Sequence, residues 1–211
     1  MTVTLEIWAD VVCPWCWIGE AGVLRAIDDL GVRDDVRIEM RAYRLDPDPD
    51  PPRVPSHERI ARKYGWDEEQ ARAAADRVRQ LGAEVGVDIR PEVTVTSPTF
   101  DAHRLIRAAQ PEGRDLELML ALQQRYFTFG EDVGDHDVLR AAAAEVGLPG
   151  GLVEEVLGSD RHADDVVADE EEARGVGVQG VPFMVLDRRL AITGAQSPDV
   201  YAEGVRRALA G

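Results

Sequence analysis

The sequence predicts an α/β fold in which two strand-bearing ends build one domain and a long helical segment is inserted between them. Three observations carry that expectation. β-Branched and apolar residues gather near both termini, helical periodicity fills the middle, and a proline-rich stretch separates the first end from the middle.

Residues 3–9 (VTLEIWA) mix β-branched and apolar side chains and read as a buried strand. A short turn from Asp10 to Val12 follows. Trp17, Ala21, Leu24 and Ile27 then recur at helical spacing, and Gly31 closes that helix. Residues 36–43 (VRIEMRAY) alternate as a strand covered on one face does. Pro47, Pro49, Pro51, Pro52 and Pro55 exclude regular structure between Leu45 and Pro55. The segment reads as a connector between layers, because it lacks the Gly/Ser content of a flexible tether.

From Ser56 to about Arg174 the chain reads as helical. Residues 57–82 are rich in Ala, Arg, Glu and Gln. Ser97-Pro98 has the form of an N-cap followed by proline at the first helical position, opening a helix with Leu105, Ile106 and Ala109. Leu116, Met119, Leu120, Leu122, Tyr126 and Phe127 spread around a whole helix, which predicts its burial. Val138, Leu139, Ala142 and Val146 mark another helix, and two shorter ones are expected around 152–157 and 160–174. Residues 182–187 (PFMVLD) read as a strand, Asp187 to Arg189 as a turn, and Leu190 to Thr193 as a second strand. Ser197-Pro198 opens a terminal amphipathic helix carrying Val200, Tyr201, Val205 and Leu209. Strands at the two ends must pair to satisfy their backbone groups. The expected division is therefore 1–43 with 175–211 as one domain and 44–174 as a helical insertion domain.

The chain has 211 residues, with 40 Asp plus Glu against 24 Lys plus Arg, a formal charge of −16. Such a surface repels phosphate and argues against a nucleic-acid partner, while keeping the chain in solution. No apolar run reaches the ~18–20 residues of a membrane span. Glu6 and Asp10 interrupt the place of a secretory leader, so a cytoplasmic location is expected.

Two cysteines sit three positions apart. In a reducing compartment such a pair is not a structural staple, and its loop is too short to constrain the unfolded chain. Redox chemistry or a metal remains. Zinc needs two further ligands, and His57, His103, His136 and His162 are scattered without ligand spacing, so neither a metal nor a separate cofactor is expected. Cys13 follows a strand and a turn, and Pro14 suits the first helical position. That places Cys13 at an N-cap, where free N–H groups and the helix dipole favour the thiolate, the reactive form. Cys16 lies one turn on, as a resolving sulfur.

These residues carry a family resemblance. Asp10-Val11-Val12-Cys13-Pro14-Trp15-Cys16, Ala102-His103-Arg104-Leu105, Tyr126-Phe127 with Gly130, Gly177-Val178-Gln179-Gly180-Val181-Pro182-Phe183 and Gly194-Ala195-Gln196 resemble the DsbA-like branch of the thioredoxin superfamily, in particular the cytoplasmic FrnE-type proteins. The resemblance implies a thioredoxin fold (βαβ…ββα) with a helical insertion, a cis Val181–Pro182 bond facing the cysteines, and a redox-active Cys13–Cys16 disulfide. It also implies that the Val181 backbone pairs with substrate as an added strand. Pro14, Trp15, Val181 and Pro182 are the expected substrate contacts. Trp15 and Trp17 are expected beside the disulfide, with a core position for Trp17 equally open. His103 reads as a helix residue packed between layers, not as a catalytic base. Asp46 stands where the family loop tends to carry asparagine and, if it faces the site, adds negative charge near Cys13.

The expected activity is thiol–disulfide exchange with protein or small-molecule partners, in the reductase or isomerase direction in cytosol. Kappa-class glutathione transferases and 2-hydroxychromene-2-carboxylate isomerases look similar. They imply glutathione as an alternative co-substrate, but typically carry serine where this chain has a cysteine pair. A thiol-independent chaperone or binding module is the rival from another class.

Overall fold

The structure, a computed structural model, describes residues 2–211; Met1, the first residue of the expected 1–43 segment, lies outside them. The chain begins with β1 (Val3–Ala9), α1 (Pro14–Leu30) and β2 (Val36–Ala42). Seven α-helices follow among the described residues: α2 (Ser56–Tyr64), α3 (Glu68–Glu84), α4 (Phe100–Ala109), α5 (Asp115–Phe129), α6 (His136–Glu145), α7 (Gly150–Leu157) and α8 (Ala163–Gly175). It ends with β3 (Phe183–Leu186), β4 (Leu190–Thr193) and α9 (Pro198–Ala210).

The strands from both ends of the chain form one sheet, ordered β2-β1-β3-β4. β1 and β2 are parallel, in register from Val3 opposite Val36 to Ala9 opposite Ala42. β3 runs antiparallel to β1, with Trp8 opposite Phe183, and β4 antiparallel to β3. As a central strand β1 is covered on both faces, which explains its nearly continuous burial.

The two faces differ. Leu5, Ile7, Met40 and Met184 pack with α1 and α9 in the main core. Gly19 and Gly22 permit the close approach: a Cβ on Gly22 would lie 3.0 Å from the Tyr201 ring. On the other face Trp8 donates its indole N–H to the Asp169 carbonyl of α8 at 3.0 Å. The outer border of β2 is closed by carboxylates. The Met40 N–H donates to Asp115 on α5 at 2.9 Å, and the Ala42 N–H to Asp169 at 3.0 Å. No helix among the described residues is long and apolar enough to cross a membrane.

Several boundaries depart from the sequence reading. The run 57–82, read from composition only as helical, divides into two helices, α2 and α3. Gly65 ends α2 with a left-handed residue, and Asp67 opens α3 in a capping box with Gln70. Ser97-Pro98 does not open a helix; Thr99 is the N-cap and α4 starts at Phe100. Pro98 instead packs on Gly134, where a Cβ would come within 2.7 Å of the proline ring. Pro182 precedes the third strand, which begins at Phe183.

Candidate active site

The site forms where β1 gives way to α1. Cys13 is the N-cap of α1 in an extended conformation, with Pro14 at the first helical turn. The Cys13 carbonyl accepts from the amides of Cys16 at 3.1 Å and Trp17 at 3.4 Å, which starts the helix. The Cys13 amide donates to the Asp10 carbonyl at 3.1 Å and fixes the turn. Both cysteines are free thiols; Cys13 is 3% exposed and Cys16 fully buried.

The loop before β3 faces this junction. The Val181–Pro182 peptide bond is cis. The Cys13 Sγ lies 3.8 Å from the Val181 carbonyl oxygen. A Cβ on Gly19 would lie 2.8 Å from the Pro182 ring, so α1 and the proline loop touch only because residue 19 is glycine. Cys13, Cys16, Val181 and Pro182 thus converge, while Pro14 and Trp15 border the junction half-exposed. Trp17 does not share that position. It is buried and stacks on Phe127 at 5.9 Å, so of its two expected places it takes the core one.

Two buried groups flank the thiols. Asp10 and His103 are both 1% exposed and meet at 3.2 Å. The second Asp10 oxygen accepts from the Leu45 amide at 2.8 Å, tying the connector to the site. His103 therefore packs α4 against the turn that precedes Cys13. Asp46 does not lend a free charge to the site, because it ion-pairs with Arg59 on α2.

Glu20, one turn beyond Cys16, is fully buried. Gln123 of α5 stands close enough to favour its ionised form, yet short of a well-formed hydrogen bond, and both side chains lack a partner among the described residues. Burial pushes the Glu20 carboxyl up to about 8. Burial also pushes the Cys16 thiol well above its ordinary value, helped by the hydrogen bond and charge of Cys13 and by the charge of Glu20. Cys16 is therefore a protonated thiol at neutral pH. Neither Glu20 nor Gln123 announced itself in the sequence as a site residue. Asp10 did so only by preceding the cysteine motif.

A four-strand sheet covered on both faces, a cysteine pair at a strand-to-helix junction and a proline loop opposite it define a thioredoxin-fold protein. The chain belongs to the DsbA family, matching the DSBA-like thioredoxin domain over residues 4–206. It is similar to a probable DsbA oxidoreductase of Streptomyces coelicolor, with 34% identity over 99% of this chain and 90% of that one and a TM-score of 0.92. It is also similar to the uncharacterised protein YwbO of Bacillus subtilis, 26% identical over 207 residues, covering 97% of this chain and 96% of the relative. The cytosolic disulfide reductase DsbM of Pseudomonas aeruginosa, solved alone and with GSH, shares the fold. Alone, it is 15% identical, with 98% of each chain covered and a TM-score of 0.71.

Proposed function

We propose that the chain is a thiol–disulfide oxidoreductase that works through Cys13 and Cys16. One observation carries the reading: Cys13 caps α1 beside the Val181 carbonyl, with Cys16 buried one turn behind it. The Cys13 thiolate attacks a substrate disulfide, forming a mixed disulfide and releasing one substrate thiol. Cys16 gives up its proton and attacks the Cys13 sulfur, releasing the second substrate thiol. The substrate gains two electrons, and the chain is left with a Cys13–Cys16 disulfide. Two equivalents of a small thiol, such as glutathione, return it to the dithiol. In this reading Val181 and Pro182 hold the substrate backbone, and Pro14 and Trp15 contact its side chains.

A strongly oxidising couple near −120 mV lies about 100 mV or more above the cytosolic glutathione poise, roughly 4–5 kcal/mol toward the dithiol. In cytosol the reading is therefore of a reductase or isomerase.

The test is thiol trapping across glutathione redox buffers, with wild type beside Cys13→Ser and Cys16→Ser. Wild type should show one two-electron transition. Cys16→Ser should accumulate a mixed disulfide with glutathione at Cys13, and Cys13→Ser should not react. Exchange activity retained by Cys13→Ser would overturn the assignment.

A further inference from the structure

Beside the cysteine motif lies a groove of about 360 Å³ between the α1 junction and the α2–α3 pair. Its volume falls in the range of small-molecule sites, at the lower end of about 300–1,000 Å³. Trp15, Trp66 and Phe127 give it aromatic walls, and Ile60 and Val78 add aliphatic ones. Its hydroxyls are already engaged: the Tyr126 hydroxyl donates to the Val95 carbonyl at 2.9 Å and meets the Ser56 hydroxyl at 2.7 Å. An apolar body can therefore lie against them without stranding a hydroxyl.

The charge of the groove runs against that of the chain. Among the described residues no Asp or Glu lines it, although the chain carries 40 of them and a formal charge of −16. The ionisable side chains on its walls other than Tyr126 are His57 and Arg77. Other arginines of α3 hold carboxylates: Arg72 pairs with Glu68, and Arg79 with Asp76 and Glu92. Arg77 makes no ion pair among the described residues, so its guanidinium fork is available to a ligand carboxylate. Pro14 and Trp15 form part of the same wall, which sets any occupant beside Cys13.

We infer that this groove binds small aromatic carboxylates, with the ring between Trp15 and Trp66 and the carboxylate on Arg77. Combined with the proposed exchange chemistry, on which this step rests, the substrate class is an aryl thiol or disulfide that bears a carboxylate.

The binding step is separable from the redox step, because an unreactive probe suffices. Isothermal titration of reduced wild-type protein should show 1-naphthoate binding about fivefold tighter than neutral 1-naphthalenemethanol, the difference that one pair to the exposed Arg77 can supply. Arg77→Gln should remove that preference, and Arg77→Lys should keep most of it. Equal binding of the two probes to wild type would make the groove a plain apolar surface for a peptide side chain and overturn the inference. So would no binding of 1-naphthoate, or an Arg77→Gln protein that keeps the preference. Dithiol cycling without naphthoate binding would remove this inference alone; naphthoate binding without cycling would remove the redox reading alone.

Discussion

The two sides of the central sheet bury carboxylates in opposite ways. On the α8 side Glu6 and Asp169 share Arg41, which donates to Glu6 and, at 3.0 Å, to Asp169. Burial pushes Asp169 up, but Arg41 and the Ala42 amide pull against it. On the α1 side Glu20 is buried as deeply and has no cation and no hydrogen-bond partner among the described residues. A matched carboxylate holds strands and helices in register. An unmatched one keeps its proton and makes stability depend on pH. The unmatched one is next to Cys16.

The contrast can be broken from either side. The largest effect is expected on the matched side. Arg41→Ala takes the cation from buried Asp169 and leaves Glu6 with Arg188 alone, at 2.9 Å, and urea unfolding at pH 7 should show a loss of about 3–5 kcal/mol, as for other broken buried pairs. A loss under about 1 kcal/mol, the scale of a surface pair, would mean that the two faces do not differ in this respect.

Glu20→Gln should act in the other direction. The Glu20 carboxyl rises on folding from 4.5 to about 8, so the native state holds more protons than the unfolded chain between those values. Stability therefore falls as pH rises through that window. At pH 7 the accumulated cost is roughly 3 kcal/mol, at about 1.4 kcal/mol per unit. Unfolding curves of Glu20→Gln should lose this slope between pH 4.5 and 8 and gain on wild type toward the upper end. Parallel pH profiles for the two proteins would show that Glu20 ionises freely.

The smallest effect belongs to an exposed pair. Asp46 and Arg59 are each about a third accessible, and solvent screens their attraction. Asp46→Asn should change thermal stability by less than about 1 kcal/mol. A larger loss would show that the connector depends on that pair to hold Leu45 against Asp10.

What the sequence makes legible follows from how local each signal is. β1 and the second hairpin strand are short runs whose composition and turn residues sit within a few positions, and their bounds are those read from the chain. Cys13 with Pro14 is likewise a local N-cap signal. The break between α2 and α3 was also local, in Gly65 and the Asp67–Gln70 capping box, but the helix-forming composition around it masks it. The start of α4 is not local, because Pro98 is held by its packing on Gly134. Glu20 is the clearest case. A glutamate between Gly19 and Ala21 reads as solvated, and only the packing of other helices on α1, with Gln123 of α5 and Tyr201 of α9 beside it, shuts it in. The Asp10–His103 contact spans 93 positions and is visible only after folding.

The carboxylates that close the outer border of β2 reach beyond this one molecule. A strand edge with open amides is a template for other chains, and proteins that leave one exposed risk fibre growth or unplanned dimers. Here Asp115 and Asp169 occupy the Met40 and Ala42 amides on that side. An intermolecular sheet that would pair along the Met40–Ala42 end of β2 must therefore wait until α5 and α8 peel away.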